Sequence, residues 1–336
     1  EFRRVLFRSV EQQQNPIEKA IELFQAAKSN MMATFEPIYK NLFVRKEYSP
    51  LDFQLPQNII VVGAGGTGGW FAPKAAKIIS AALNKRMIEH KVNMIFVDQD
   101  TVETKNLIRQ NFVTPDVGRN KAEVIATRYA HSITNENMSM SYIAAYLVDK
   151  SYPIPKGEEE KFVYIENVMS NCKRESYMVI NLIDNMKSRK AIHKFCYLNK
   201  VDVIDVANND YNGQLNYAAY SKGQGHVGSF FAVYPDAARD DDAIVLYNCA
   251  DADANATEQL FNANDMAATM LGTFLANCIA DRTVANHHVK FCTGVNMSIS
   301  ADHMFMVKNE GLAKTEAEVS VAADAAQQYD ALIKSF

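Results

Sequence analysis

Two hydrophobic rhythms alternate through the middle of this chain. Residues 58–62 (Asn-Ile-Ile-Val-Val) and 93–97 (Asn-Met-Ile-Phe-Val) are short, almost unbroken apolar runs. That is the pattern of strands buried on both faces of a parallel sheet. Residues 138–147, 178–183 and 201–206 are further strand candidates, and helical segments over about 68–90, 119–131 and 187–199 separate them. Strand and helix in alternation predict an α/β fold with a doubly wound, mostly parallel sheet. Upstream, Asn15-Pro16-Ile17-Glu18 reads as a helix start, and Ile17, Ala20, Ile21, Phe24 and Ala27 recur on one face. This predicts an N-terminal amphipathic arm, followed by a second short helix before Ser49–Pro50.

Three stretches break the rhythm. Residues 150–174 are polar, with Glu158-Glu159-Glu160-Lys161, and read as a solvated insertion. Residues 208–256 hold strand-like pieces (214–220, 229–234, 244–247) and the run Asp240-Asp241-Asp242, which together predict an antiparallel extension with a long mobile loop. Near the end, Thr315 and Glu318 form a capping box that opens an Ala-rich helix. The expected organisation is a tag-like segment and helical arm (1–56), a nucleotide-binding core (57–207), an extension with a cysteine-bearing loop and packing helix (208–300), and a tail helix (301–336). Residues 1–9, broken by Arg3, Arg4 and Arg8, resemble added tag sequence more than a secretory signal.

Composition narrows the class. The 336 residues carry 48% hydrophobic and 22% charged side chains and a net charge of −4, which excludes a disordered chain and any global attraction for nucleic acid or anionic membrane. No uncharged apolar run reaches the roughly 18 residues of a membrane span. The five cysteines, 172, 196, 249, 278 and 292, contain no Cys-x-x-Cys pair, so no zinc is expected, and a reducing, cytoplasmic setting is.

Gly63-Ala64-Gly65-Gly66-Thr67-Gly68-Gly69 lies between a buried strand and a helix. Glycines there allow a tight turn and bring backbone N–H groups and the positive helix end close to phosphate. Asp98, at the end of the second strand, would suit a ribose in a dinucleotide dehydrogenase or in another nucleotide site. The cluster behind it separates the two: Asn106, Arg109 and Lys121 read as a cage for a triphosphate, which a nicotinamide dinucleotide would not need.

The ordered motifs are Gly-x-Gly-Gly-x-Gly, Asp98-x-Asp100-Thr101-Val102-Glu103, Asn106-x-x-Arg109-Gln110, Asp116-Val117-Gly118-x-x-Lys121 and Asp184-Asn185 with Arg189. Together they resemble the ThiF/MoeB/HesA family of ubiquitin-activating-enzyme-like adenylating enzymes, closely over about 57–207 and loosely over 208–280. The glycine loop, Asp205-Val206-Ala207-Asn208-Asn209, Asn212-Gly213-Gln214 and Gln259-Leu260-Phe261 look most like the ThiF-like proteins of plasmid and phage systems.

The resemblance implies a role for each matching residue. Gly63, Gly65, Gly66 and Gly68 would line ATP, and Asp98 would take its ribose. Asn106, Arg109 and Lys121 would hold phosphates, the last two also stabilising the adenylation transition state. Asp184 would hold Mg²⁺, with Asp100 a second acid near it; Arg189 would contact Asp184 or the nucleotide, or form a structural ion pair. Cys249, before the apolar stretch 266–279, is either an acyl acceptor or a packing residue. The other four cysteines read as inert, with Cys172 next in line. His287–His288 reads as surface or packing.

The implied activity is ATP-dependent adenylation of a carboxylate, at the C-terminus of a ubiquitin-like or sulfur-carrier protein, with thioester formation as a possible second step. A peptide or RNA-linked carboxylate, or a non-catalytic nucleotide-binding role, are the rivals. A homodimer is the family default. The N-terminal Arg-Tyr-x-Arg-Gln segment of many members is missing, and Arg45 or Lys46 is a poor substitute.

Overall fold

A computed structural model of the chain describes residues 48–49, 51–148, 150, 152–170, 177–209, 211–223, 225–239, 261–293, 297–303, 306–307 and 316–336. The chain divides into two compact units, residues 1–49 with 307–310 and residues 50–306 with 311–336. The described residues of the first are the strand residues Tyr48–Ser49 and Val307, the second residue of the strand Met306–Val307. The N-terminal arm, Arg45, Lys46, Cys172, Cys249, Asp240 to Asp242, the strand expected over 244–247 and Thr315 of the capping box lie outside the described residues.

The second unit is built on eight strands: β1 (Asn58–Val62), β2 (Val92–Val97), β3 (Met138–Ile143), β4 (Tyr177–Asn181), β5 (Val203–Asn208), β6 (Asn212–Ala218), β7 (Asn286–Cys292) and β8 (Ser298–His303). Their order across the sheet is β8-β7-β6-β5-β4-β1-β2-β3. The five from β3 to β5 run parallel, and β6, β7 and β8 continue antiparallel. Helices α1 (Gly66–Asn84), α2 (Lys121–Ala130), α3 (Met186–Asn199), α4 (Phe261–Asp281) and α5 (Glu316–Ser335) cover it.

The apolar runs behave as a two-faced sheet requires. Alternate β1 residues enter opposite cores: Ile59 and Val61 pack with Phe71, Ile79, Leu271 and Leu275 of α1 and α4, while Ile60 and Val62 pack with Ile192, Phe195 and Ile333 of α3 and α5. Each such fully buried Ile or Phe contributes about 1.5–3 kcal/mol of transfer free energy. Register brings the carboxyl ends level, with Val97 beside Val62, Val62 beside Asn181 and Asn181 beside Asp205. Strand order reverses at β1, so a crevice opens above the carboxyl ends of β1 and β4.

Three expectations are corrected. The 229–234 piece is not a strand: Ser229 caps a short helix, Phe230–Val233, by accepting the Ala232 N–H at 3.1 Å. The apolar, aromatic-rich composition of Phe230-Phe231-Ala232-Val233-Tyr234 suits a strand, and the serine cap decides for a helix. The 150–174 stretch is more than a solvated insertion, because Ile165, Val168 and Met169 are buried in the second core and Phe162 is buried beside Tyr146 and Tyr152. The expected strand over 138–147 is two: β3, then Tyr146–Val148, which pairs in parallel with Phe162–Tyr164.

α1 contains Pro73 in its third turn, which removes the N–H that would bond the Gly69 carbonyl. Asn111 Nδ2 donates to that carbonyl at 3.0 Å instead, and also to Tyr129 OH at 2.7 Å. A helix defect is thus repaired by the segment that follows Arg109, which fixes that segment against α1.

Candidate active site

The site begins where β1 ends. Gly63 has φ +100°, a conformation that favours glycine, and its N–H bonds the Val97 carbonyl at 2.9 Å. A Cβ on Gly68 would lie 2.1 Å from the Gly63 carbonyl oxygen, so only glycine lets α1 start this close to the strand. α1 has neither a side-chain cap nor an acid in its first turn, whereas α2 and α3 are capped by Asn120 and Asn185. The N-terminal N–H groups of α1 are therefore left for an outside acceptor, as an anion site requires.

Asp98 follows the end of β2 and ties this loop down. Its Oδ2 accepts the Ala64 N–H at 2.7 Å and its Oδ1 the Asp100 N–H at 2.9 Å. Removal from water pushes its carboxyl up to about 6; the Asp100 charge adds to the rise, and Lys121 and the two N–H bonds work against it. Asp100 in turn receives Lys121 Nζ at 3.0 Å and Tyr146 OH at 3.2 Å. The Lys121 side chain is only 7% exposed, so its charge is held inside the site rather than on a solvated face. Asn120 Nδ2 binds the carbonyls of Asp98 and Asp100 at 2.8 and 3.2 Å while its Oδ1 caps α2 at Glu123 N.

The remaining candidates sit on adjoining turns. Asn106 is buried, and its Oδ1 accepts the Glu103 N–H at 2.8 Å, closing the short 3₁₀ turn Thr104–Ile108 that ends at half-buried Arg109. Gln110 packs its amide under Gly65, and its Oε1 is buried with no hydrogen-bond partner among the described residues. Such an orphaned acceptor beside a glycine loop fits a nucleotide, whose hydroxyl and amino groups donate. Asp184 is exposed, three residues past β4.

Arg189 behaves differently from its neighbours. It is 2% exposed, pairs with Asp205, donates to the Ile183 carbonyl and lies 4.7 Å from the Phe230 ring centroid. Of the roles open to it in the sequence, the structural ion pair is the one observed, and Asp205 is its partner. Asp205 also accepts from Asn181 at 2.8 Å and faces His193 Nε2 at 3.0 Å. Burial would raise the Asp205 carboxyl, but Arg189, His193 and Asn181 together hold it below the ordinary carboxylate range.

Sequence reasoning quotes Asn208 in a motif without giving it a role, and misses Asn264 altogether. Asn264 lies on the buried stripe of α4 with Ala267, Ala268, Leu271 and Leu275, and a polar residue on an apolar stripe is the signal that would have found it. Among the cysteines, Cys196 and Cys278 are buried; burial pushes the first thiol well up and the second to about 12, and Cys292 is half-buried. His288 is 2% exposed on β7, with Nδ1 2.6 Å from Asn216 Oδ1.

A glycine loop, an acid after the second strand and a buried lysine, at the switch point of a parallel sheet, define a Rossmann-like nucleotide-binding site. The ThiF family matches residues 55–324, and the chain belongs to that family. No curated protein sequence matches it. Among solved structures it is similar to PaaA, at 16% identity and TM-score 0.48, over 74% of this chain and 64% of that one. It is also similar to Escherichia coli MccB solved with ATP (16% identity, TM-score 0.46, 75% and 65% covered), and to MccB solved with AMPCPP and MccA (14%, 0.48, 77% and 66%). The chain thus spans 64–66% of the length of these proteins. Among the described residues no helix is long and apolar enough to cross a membrane, and no three His, Cys, Asp or Glu are grouped to hold a metal ion.

Proposed function

We propose that this protein binds ATP at the glycine loop and adenylates a carboxylate. The observation that carries the reading is Lys121, a nearly buried cation set against Asp100 beside the ribose-type acid Asp98 and an uncapped helix start. A triphosphate, with more charge than a dinucleotide's pyrophosphate and more still developing as it breaks, makes the fuller use of that lysine. In the step proposed, a carboxylate oxygen of the substrate bonds to the α-phosphorus. The bond from that phosphorus to its β-bridging oxygen breaks, and pyrophosphate leaves with the electron pair. Lys121 and Arg109 would neutralise charge on the phosphates, while Gly63, Gly65, Gly66 and Gly68 give them room and Asn106 shapes the turn that presents Arg109.

Asp184 supplies a single carboxylate here, so Mg²⁺ would be held mainly by the nucleotide's phosphates, with Asp184 completing its shell. When bound, it would add positive charge along the triphosphate. The substrate we favour is the C-terminal carboxylate of a ubiquitin-like or sulfur-carrier protein, with a homodimer as the working unit and Cys249 as the candidate thioester acceptor. The test is calorimetry of the full chain with ATP and MgCl₂ against NAD. ATP is expected to bind and NAD to leave no heat; tighter binding of NAD overturns adenylation.

A further inference from the structure

Four side-chain and main-chain groups from separate parts of the fold are joined in one hydrogen-bonded line at the glycine loop. Thr67 Oγ1 donates to Asn208 Oδ1 at 3.0 Å, Asn208 Nδ2 donates to Asn264 Oδ1 at 3.0 Å, and Asn264 Nδ2 donates to the Arg109 carbonyl at 3.3 Å. The direction of the line is fixed from one end. A carbonyl can only accept, so the Asn264 amide must turn its nitrogen toward Arg109 and its oxygen toward Asn208. That in turn aims the Asn208 oxygen at the Thr67 hydroxyl.

Asn264 is 2% exposed, and it is also what Gly66 makes room for: a Cβ on Gly66 would sit 2.5 Å from Asn264 Oδ1 and 2.7 Å from its Cγ. The third glycine of the loop thus admits an asparagine of a distant helix. One residue further on, Asp265 pairs with Lys74 at 2.6 Å on the outside of the same α1–α4 contact, with side chains 42% and 30% exposed. The helix pair is therefore clasped twice, once at the surface and once against the loop.

We propose that Asn264 is a positioning residue for ATP binding, holding the Arg109 main chain and the start of α1 at a fixed separation so that the loop N–H groups and the Arg109 side chain meet one phosphate chain together. This rests on the ATP reading above and assigns α4 a part in it. Asn264 acts through Arg109 and the loop, and it contacts the phosphates of no substrate itself.

The experiment measures ATP affinity with MgCl₂ by calorimetry, with the melting temperature of each full-length variant beside it. Losing one neutral positioning bond corresponds to about fivefold to tenfold weaker ATP binding in Asn264→Ala. Asp265→Ala, which removes the outer clasp only, should bind ATP as the wild type does. In an Arg109→Ala background, Asn264→Ala should weaken binding by clearly less than it does in the wild type, because the Arg109 side chain it positions is gone and only the loop N–H groups are left to misplace. A helix-packing role alone would not produce that coupling. Gly66→Ala should weaken binding in the wild type and add little in Asn264→Ala, where the colliding amide is absent. If Asn264→Ala shows no folded melting transition, Asn208→Ala, one bond further from Arg109, is measured in its place, with weaker ATP binding expected and unchanged binding overturning the proposal. A wild type that fails to bind ATP overturns the nucleotide reading and this proposal with it. A wild type that binds, with Asn264→Ala equally tight or with strictly additive losses, overturns this proposal alone.

Discussion

Two acids at the same edge of one sheet are treated in opposite ways. Asp205 lies in β5, and its oxygens are taken up by Arg189, His193 and Asn181, all buried. Asp98 follows β2, and the bonds to its oxygens are two main-chain N–H groups, from Ala64 and Asp100. A carboxylate has about four lone-pair sites, so Asp98 keeps acceptor capacity that Asp205 has spent on its neighbours. The Asp98 carboxyl is pushed up to about 6 and the Asp205 carboxyl is held low. A saturated acid holds structure, whereas an acid left with free capacity and an unfavourable charge suits a ligand that arrives with donors. Rank in the motif does not separate them, since Asp98 and Arg189 both belong to the family pattern. The partners do.

The largest effect should come from the interior acid. Asp205→Ala leaves the Arg189 guanidinium buried without its counter-charge, which costs about 3–5 kcal/mol. Urea unfolding of the variant should show that loss, and a change below about 1 kcal/mol would erase the distinction between the two acids. The two also have opposite linkage to pH. The Asp205 carboxyl is lowered in the folded state, so its stabilisation is present above its ordinary value of 3.8 and is lost as pH falls below the ordinary range. The Asp98 carboxyl is raised, so its contribution in the ligand-free chain is present below 3.8 and is lost as pH rises through about 6.

Arg109→Ala comes next. If its charge stabilises the departing pyrophosphate, ATP–pyrophosphate exchange with a carboxylate substrate should fall by about 10²-fold. The folded melt should stay near the wild type, because Arg109 is half-buried on a turn and Asn264 binds its carbonyl, which alanine keeps. Wild-type exchange in this variant would take Arg109 out of the site.

How much of this could be read from the sequence depended on whether a residue's partners are near it in the chain. β1, the glycine loop and Asp98 were legible because strand, turn and helix start are consecutive, and each imposes its own composition. The 229–234 segment reads as a strand because a run of apolar and aromatic residues outweighs a single serine, and its burial against α3 and α5 is settled by residues 100 positions away, such as Tyr329, which donates to Ser229. Arg189 could not be assigned because its partner, Asp205, is named only by the register of β4 and β5. The insertion at 150–174 does carry its signal: Ile165, Val168 and Met169 have helical spacing, but the stretch is short and the charge run Glu158 to Lys161 beside it lowers its mean hydropathy.

A smaller effect should follow the Asp98 titration. With its carboxyl ionising near 6, a ribose finds a full acceptor at pH 7.5 and, about one unit below that midpoint, an acid that is mostly protonated. ATP affinity should weaken by about tenfold between pH 7.5 and pH 5, since one unit is worth about 1.4 kcal/mol. Calorimetry at the two pH values, with the ATP γ-phosphate's own protonation subtracted using Asp98→Asn as reference, measures it. A flat profile would mean that Asp98 is as saturated as Asp205.

The smallest effect tests the far end of the interior network. His193 Nδ1 lies 2.7 Å from Tyr220 OH, Tyr220 OH lies 2.8 Å from Tyr329 OH, and Tyr329 donates to Ser229, so a line of buried polar groups runs from Asp205 to α5. Desolvation raises the Tyr220 phenol well up and the Tyr329 phenol to about 12, so both remain protonated donors across the physiological range. Tyr329→Phe keeps the ring that packs beside Ile333 and deletes one hydroxyl, leaving Tyr220 and Ser229 each short of a partner. The expected loss is about 1 kcal/mol in urea unfolding, the usual net worth of a buried neutral hydrogen bond. ATP affinity should not change, because the line ends on Asp205 and none of its bonds reaches Asp98, the glycine loop or Lys121. A variant of unchanged stability whose ATP affinity falls would reverse the assignment: the saturated network would then be part of the site, and α5 would be reporting to it.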